Sequence, residues 1–263
     1  DVGFGKTEVM IRAAVKAALN LKQVMVLVPT TILAEQHFKT FSQRCGVLGL
    51  RIAVVSRLKS VKQNKATLTA LKNHHLDIII GTHRLLSADV VFNDLGLVIV
   101  DEEQRFGVKH KEKIKKISQQ IDILTTSATP IPRTLYMSLT GAKAISTLNT
   151  PPKGRVPIHT VISEYSTDLI KSAIVKEIER KGQVYFLHNH IDELPVIESI
   201  IKSLVPSIRI GIAHGKMKSV ELENVMMSFY NQQFDLLLCT TIIENGLDIQ
   251  SANTIIINRA DKL

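Results

Sequence analysis

Two stretches carry the residue types that nucleotide hydrolysis needs. The chain opens Asp1 to Thr7, DVGFGKT, which matches the last seven positions of the phosphate-loop pattern G-x-x-x-x-G-K-[ST], the first glycine falling ahead of Asp1. Gly3 and Gly5, on either side of Phe4, let the backbone turn its N–H groups around phosphate oxygens, since glycine enters left-handed conformations cheaply. Lys6 would bridge the β and γ phosphates and Thr7 would place its hydroxyl on Mg²⁺. A helix starting at once, with Glu8 in its first turn, would aim its positive end at the anion. The second stretch is Leu97 to Gln104, LVIVDEEQ. Four apolar residues in a row predict a strand buried on both faces, and the acids that follow fall at the carboxyl edge of a sheet, where open α/β folds bind ligands. An acid that holds Mg²⁺ (Asp101) beside an acid that orients a water (Glu102) is the arrangement hydrolysis requires. The plain alternatives are a glycine-rich tail and a solvated strand end.

The elements that must position these residues follow from the alternation of apolar runs and amphipathic stretches. Strands are predicted at Gln23 to Thr30, Arg51 to Ser56, Asp77 to Thr82 and Ile121 to Thr129. Helices are predicted from Thr7 to Asn20, from Thr30-Thr31 to about Arg44, up to about Asn73, and at the charge run Val108 to Ser118, which reads as a solvated helix face. Thr30 and Thr31 at a helix start, and Thr82 with Arg84 at a strand end, fit either helix capping or a grip on nucleic-acid phosphate. Ser127 and Thr129 fit either sensing of a γ-phosphate or the turn ahead of a helix started by proline. Asn149 to Pro157, NTPPKGRVP, is the best linker, dividing a first lobe, 1–148, from a second, 158–263. Beyond it, strands are predicted at Ile158 to Ser163, Gln183 to His188, Arg209 to His214, Asp235 to Thr241 and Thr254 to Asn258. The helices between them are predicted near Leu169 to Lys181, Leu194 to Leu204 and Val220 to Tyr230. Alternating strands and helices give the fold class α/β, with two lobes that are each a mostly parallel sheet flanked by helices.

Composition bounds the rest. The chain has 263 residues with 33 basic against 24 acidic side chains, a net charge of +9, which favours a polyanionic partner. It contains no Trp, so a nucleic acid would be gripped mainly through its phosphates. No apolar run reaches membrane-span length and no signal-peptide pattern is present, so a cytoplasmic setting with no membrane partner is expected. Cys45 and Cys239 stand far apart in no ligand spacing, which argues against a disulfide framework or a zinc site. His188, Asn189, His190 and Asp192 lack the further ligands that a metal reading would need.

Taken together, DVGFGKT, VPTTILAEQHF, GTHRLL, DEEQRFGVKHKEK, SATPIPRTLYMSL and CTTIIENGLDI resemble, in order and spacing, the motif series of superfamily 2 helicases and translocases. Within that superfamily the pattern is most similar to the double-stranded DNA translocases that couple transcription to excision repair, with the fork-reversal helicases as nearest relatives. The resemblance implies two tandem RecA-like P-loop lobes, ATP and Mg²⁺ as cofactors, and ATP hydrolysis that drives movement on double-stranded DNA. RNA polymerase and excision-repair proteins would be met through domains outside these 263 residues. It assigns Gly3, Phe4, Gly5, Lys6, Thr7 and Glu8 to the nucleotide, Thr7 and Asp101 to Mg²⁺, and Lys6, Asp101, Glu102 and Gln104 to catalysis. Gln104, Ser127 and Thr129 would couple nucleotide state to lobe position. Thr30, Thr31, Thr82, Arg84, Thr240 and Thr241 would form the DNA track, and Glu244, Gly246 and Asp248 would face ATP from the second lobe. The family's arginine finger has no counterpart before Leu263, so these residues alone are expected to hydrolyse ATP weakly or not at all.

Overall fold

The computed structural model describes residues 3–117, 120–127, 144–150, 158–241, 249 and 251–262. The chain divides into two units, Asp1–Val156 and Pro157–Leu263. In the first unit α1 (Lys6–Leu19) leads into β1 (Gln23–Leu27), α2 (Thr31–Cys45), β2 (Ile52–Val55) and α3 (Val61–Lys72). It continues through β3 (Ile78–Gly81), β4 (Leu95–Val100), α4 (Val108–Ile117) and β5 (Asp122–Thr125). The strands form one sheet in the order β2-β3-β1-β4-β5, every pair parallel. Parallel strands covered by helices on both faces need apolar residues at consecutive positions. That is why VMVL, IIIG and LVIV runs rather than alternating patterns mark β1, β3 and β4: β1 and β3 are buried throughout, as are the last four residues of β4. On one face Met25, Leu27, Ile79, Val98 and Val100 pack with Leu71, Leu85 and Phe106.

The order of strands fixes where a ligand can sit. From β1 the chain travels to β2 and β3 on one side, then crosses to β4 and β5 on the other. The direction of winding therefore reverses between the adjacent strands β1 and β4, and the connections beyond their carboxyl ends splay apart to leave a crevice. Asp101 leaves β4 at that point, and its N–H continues the ladder to the carbonyl of Leu27 at 2.9 Å.

The second unit contains α5 (Thr167–Glu179), β6 (Gln183–Leu187), α6 (Leu194–Leu204), β7 (Ile210–Ala213), α7 (Ser219–Tyr230), β8 (Leu236–Cys239) and β9 (Ala252–Ile257). Its parallel sheet runs β7-β8-β6-β9, the same path as β2-β3-β1-β4. The likeness extends to side chains. Arg51 forks onto Asp77 at 2.7 and 3.1 Å ahead of β3, and Arg209 forks onto Asp235 at 2.6 and 3.0 Å ahead of β8. A register irregularity follows Gln23 in β1 and Gln183 in β6, and each glutamine is buried beneath it. The Gln23 amide donates to the carbonyls of Leu71 and Leu76 at 2.8 and 3.0 Å and accepts from the N–H groups of Asn93 and Asp94 at 2.8 and 3.1 Å. The Gln183 amide donates to the carbonyls of Phe229 and Phe234 at 2.8 and 2.6 Å and accepts from the Ser251 hydroxyl. Each side chain thus supplies hydrogen bonds to backbone at a helix end and in the loop after it, which the sheet itself does not pair.

One expectation fails. Ile158 to Ser163 is not a strand but irregular chain, with Ile158 and Ile162 exposed by 87% and 95%. Its β-branched residues favour extended backbone only where a neighbouring strand supplies packing and a hydrogen-bond ladder, and no described strand lies beside it. The charge run becomes α4, with Ile114 buried and its lysines outward. Among the described residues no helix is long and apolar enough to cross a membrane.

Candidate nucleotide-binding site

The phosphate-loop residues come together with the acid pair. Gly3 and Gly5 both take positive φ, 79° and 87°, the left-handed region that favours glycine. Gly5 is the N-cap of α1, makes no side-chain capping bond, and has open space where a Cβ would lie. The first N–H groups of a helix have no partner within the helix, so this end offers donors and positive potential to an anion. Lys6, on the first turn, reaches Oε1 of Glu102 at 2.8 Å. Glu8 on the same turn accepts from Arg12 and Arg44.

Glu102 is buried and holds left-handed backbone at φ 50°, ψ 50°. Non-glycine residues adopt this conformation at a cost, and it concentrates at functional sites. Its other oxygen, Oε2, accepts from the Gln104 amide, whose carbonyl oxygen accepts from the Ser127 hydroxyl at 2.9 Å. A continuous polar chain therefore runs Lys6, Glu102, Gln104, Ser127 across the ends of α1, β4 and β5. Asp101, beside it, is also buried. Its Oδ1 accepts from the Thr126 hydroxyl and from the Glu102 N–H, and Oδ2 lies 2.9 Å from Nε2 of His37. Burial alone would push the Asp101 carboxyl up. The hydrogen bond and charge of His37, the Thr126 hydroxyl and the charge of Lys6 outweigh it and hold the group below the usual carboxylate value, so the acid is ionised at neutral pH.

The oxygens of Thr7 and Asp101 are hard donors, one of them an anion, and this donor chemistry fits Mg²⁺. The left-handed glycine loop with its open helix end fits the phosphates the metal would accompany. His37 and Thr126 were not picked out from sequence. A histidine on the apolar stripe of α2 was the available signal for the first; the second had none beyond a run of hydroxyls.

The other expected site residues are placed as follows. The Thr30 hydroxyl accepts from the Leu33 N–H at 3.3 Å, an N-cap in geometry, while Thr31 is buried with its hydroxyl unpaired among the described residues. Thr82 is buried and makes no capping bond, and Arg84 pairs with Asp89 through both terminal nitrogens. In the second unit Thr240 is buried at the end of β8 and Thr241 is exposed. Thr129, Glu244, Gly246 and Asp248 lie outside the described residues. His188 Nε2 donates to the Glu193 carboxylate at 3.0 Å, and Nδ1 accepts from the Asn258 amide at 3.1 Å. Cys45 and Cys239 are buried free thiols, and burial pushes that of Cys239 up to about 12.

A left-handed glycine loop opening a helix, an acid pair at the edge of a neighbouring parallel strand, and a second α/β unit of the same topology define the RecA-like helicase fold. The DEAD/DEAH box helicase model matches residues 1–138, and the helicase conserved C-terminal domain model matches residues 166–262; the chain belongs to the DEAD/DEAH box helicase family. It is 52% identical to the transcription-repair-coupling factor of Myxococcus xanthus over 262 residues, covering 100% of this chain and 22% of that protein. It is 51% identical to the Escherichia coli (strain K12) transcription-repair-coupling factor over 261 residues, covering 99% of this chain and 23% of that protein. The chain thus spans less than a quarter of the length of these relatives. Among solved structures it is similar to RecG bound to a three-way DNA junction, with TM-score 0.78 and 29% identity over 100% of this chain and 35% of that one. A likeness to the helicase MrfA bound to DNA and AMPPNP, TM-score 0.66 at 17% identity over 97% of this chain and 40% of that one, shows the fold alone.

Proposed function

We propose that the chain is the motor core of an ATP-driven double-stranded DNA translocase that displaces stalled RNA polymerase and couples transcription to nucleotide excision repair in the cytoplasm. The observation that carries this is the meeting of Lys6 and Glu102 at 2.8 Å beside Asp101, whose carboxyl is bound by His37, Thr126 and the Glu102 N–H. It is supported by two transcription-repair-coupling factors about half identical over nearly the whole chain, and by the net charge of +9, suited to a DNA backbone.

In this reading Gly3, Phe4, Gly5 and the first turn of α1, to Glu8, wrap the phosphates of ATP, and Lys6 leaves Glu102 to reach their terminal oxygens. Thr7 and Asp101 hold Mg²⁺, which when bound neutralises charge that builds up on the phosphates during transfer. Glu102, released from Lys6, takes a proton from the attacking water, and Gln104 keeps its carboxylate directed. Ser127 and Thr129 respond to the γ-phosphate, and Glu244, Gly246 and Asp248 are assigned to ATP as well. Thr30, Thr31, Thr82, Arg84, Thr240 and Thr241 hold DNA phosphates. The surface pair of Arg84 with Asp89 is weak enough to exchange for such a phosphate. RNA polymerase and repair proteins would be engaged outside the quarter of the relatives' length that this chain spans.

The test is ATP hydrolysis by the intact protein with and without linear duplex DNA. Turnover stimulated by linear duplex supports the reading. Stimulation confined to branched DNA favours a fork-reversal helicase, a reading that the likeness to RecG on a three-way junction supports. DNA binding with no ATP turnover in either case would make it a non-catalytic scaffold.

A further inference from the structure

α2 buries one stripe, Thr31, Ile32, Leu33, Ala34, His37, Phe41 and Cys45. His37 is a polar side chain on that apolar face, only 5% exposed, set edge-on to Phe41 with ring centroids 6.1 Å apart. A polar ring at such a position costs stability unless its nitrogens are used. Here Nε2 lies 2.9 Å from Oδ2 of Asp101, while Thr126 and the Glu102 N–H occupy Oδ1. The carboxylate is therefore gripped from both sides, by elements that follow β1, β4 and β5, and cannot rotate without breaking a buried bond. α2 leaves β1 and Asp101 leaves β4, so the contact spans the crevice where the winding reverses.

We propose that His37 is a positioning residue for Asp101, holding its carboxylate in the single orientation in which it receives the magnesium of the nucleotide complex. This rests on the reading of Asp101 as the residue that holds that metal. Partners that orient a metal-binding side chain contribute about 10–100-fold to metal affinity or activity.

The test uses the intact protein and a fluorescent ATP analogue, whose binding is titrated with Mg²⁺ and measured again in EDTA, for three variants. His37→Gln places an amide donor near the position of Nε2, His37→Asn carries the same amide one methylene too short to reach Asp101, and His37→Leu removes the donor. The Asn and Leu variants are expected to need about tenfold more Mg²⁺ or above for half-maximal binding, with affinity in EDTA unchanged and with the Gln variant close to wild type. A residue that merely fills the core would lower affinity equally with and without Mg²⁺. That result, or equal Mg²⁺ midpoints in the Gln and Asn variants, overturns the proposal. Wild-type binding that does not respond to Mg²⁺ would instead refute the reading of Asp101, and the role of His37 with it.

Discussion

Lys6 and Glu102, 96 positions apart in sequence, form a partly buried ion pair at 2.8 Å. The residue that would grip phosphate and the residue that would activate water are each other's partner, so nucleotide must compete for Lys6 before Glu102 is released to act. Partial burial of the pair makes that competition costly unless the incoming phosphates replace the lost contact with one at least as strong.

Glu102→Gln is expected to retain or slightly improve ATP affinity, because a neutral amide holds Lys6 less firmly, while hydrolysis falls about a hundredfold or more, the usual contribution of a positioned base. Lys6→Ala is expected to weaken ATP binding about tenfold or more, equivalent to losing one charge-assisted contact of roughly 1.5–3 kcal/mol. Equilibrium binding and steady-state turnover of the two variants, measured side by side, check both. Turnover unchanged in Glu102→Gln would exclude that residue as the base.

Gln104 joins Glu102 to Ser127, so its removal should loosen the base without touching the phosphates. Gln104→Leu is expected to lower kcat about tenfold, in the range of a misdirected base, with KM for ATP nearly unchanged. A matching rise in KM would place Gln104 in nucleotide binding instead.

The buried glutamines give a stability prediction in each unit. Gln23→Leu leaves the carbonyl of Leu76 and the N–H groups of Asn93 and Asp94 without their partner, while the Leu71 carbonyl keeps the His74 N–H. Stranding buried backbone groups costs about 1–3 kcal/mol each when water cannot reach them. The variant is expected to lose at least about 2 kcal/mol by urea denaturation, and Gln183→Leu a comparable amount in its own unit. A loss under about 0.5 kcal/mol, the size of an ordinary surface change, would mean that water replaces the amide.

Asp77 and Asp235 supply a pH dependence. Burial would raise both carboxyls, but the hydrogen bonds and charges of Arg51 and Arg209 outweigh it and hold them below the usual value. A carboxyl lowered in the folded state stabilises it above the unfolded pKa of about 3.9, and that contribution is lost as pH falls through the folded value. The Asp77→Asn/Asp235→Asn variant is therefore expected to be less stable than wild type at pH 7, with the difference in urea midpoint shrinking below about pH 4. A difference that does not change between pH 7 and pH 3 would assign it to packing rather than to charge.

Much of this architecture was legible because its signals are local. DVGFGKT compresses a turn, a helix start and functional side chains into a few residues, LVIVDEEQ does the same with a strand and a turn, and apolar runs mark β1, β3, β4, β6 and β8. What escaped notice depends on distant pairing. His37 meets Asp101 across 64 positions and Gln183 meets Ser251 across 68, and neither partner alone carries a pattern. Ile158 to Ser163 shows the converse: its composition suits a strand, but strand formation also needs a neighbour, which composition does not supply.

The most direct measurement is an experimental structure of the intact protein with Mg²⁺ and a non-hydrolysable ATP analogue. Lys6 Nζ is expected to have moved from Glu102 to the terminal phosphate, with Asp101 at the metal. Nucleotide bound elsewhere while Lys6 stays on Glu102 would contradict it.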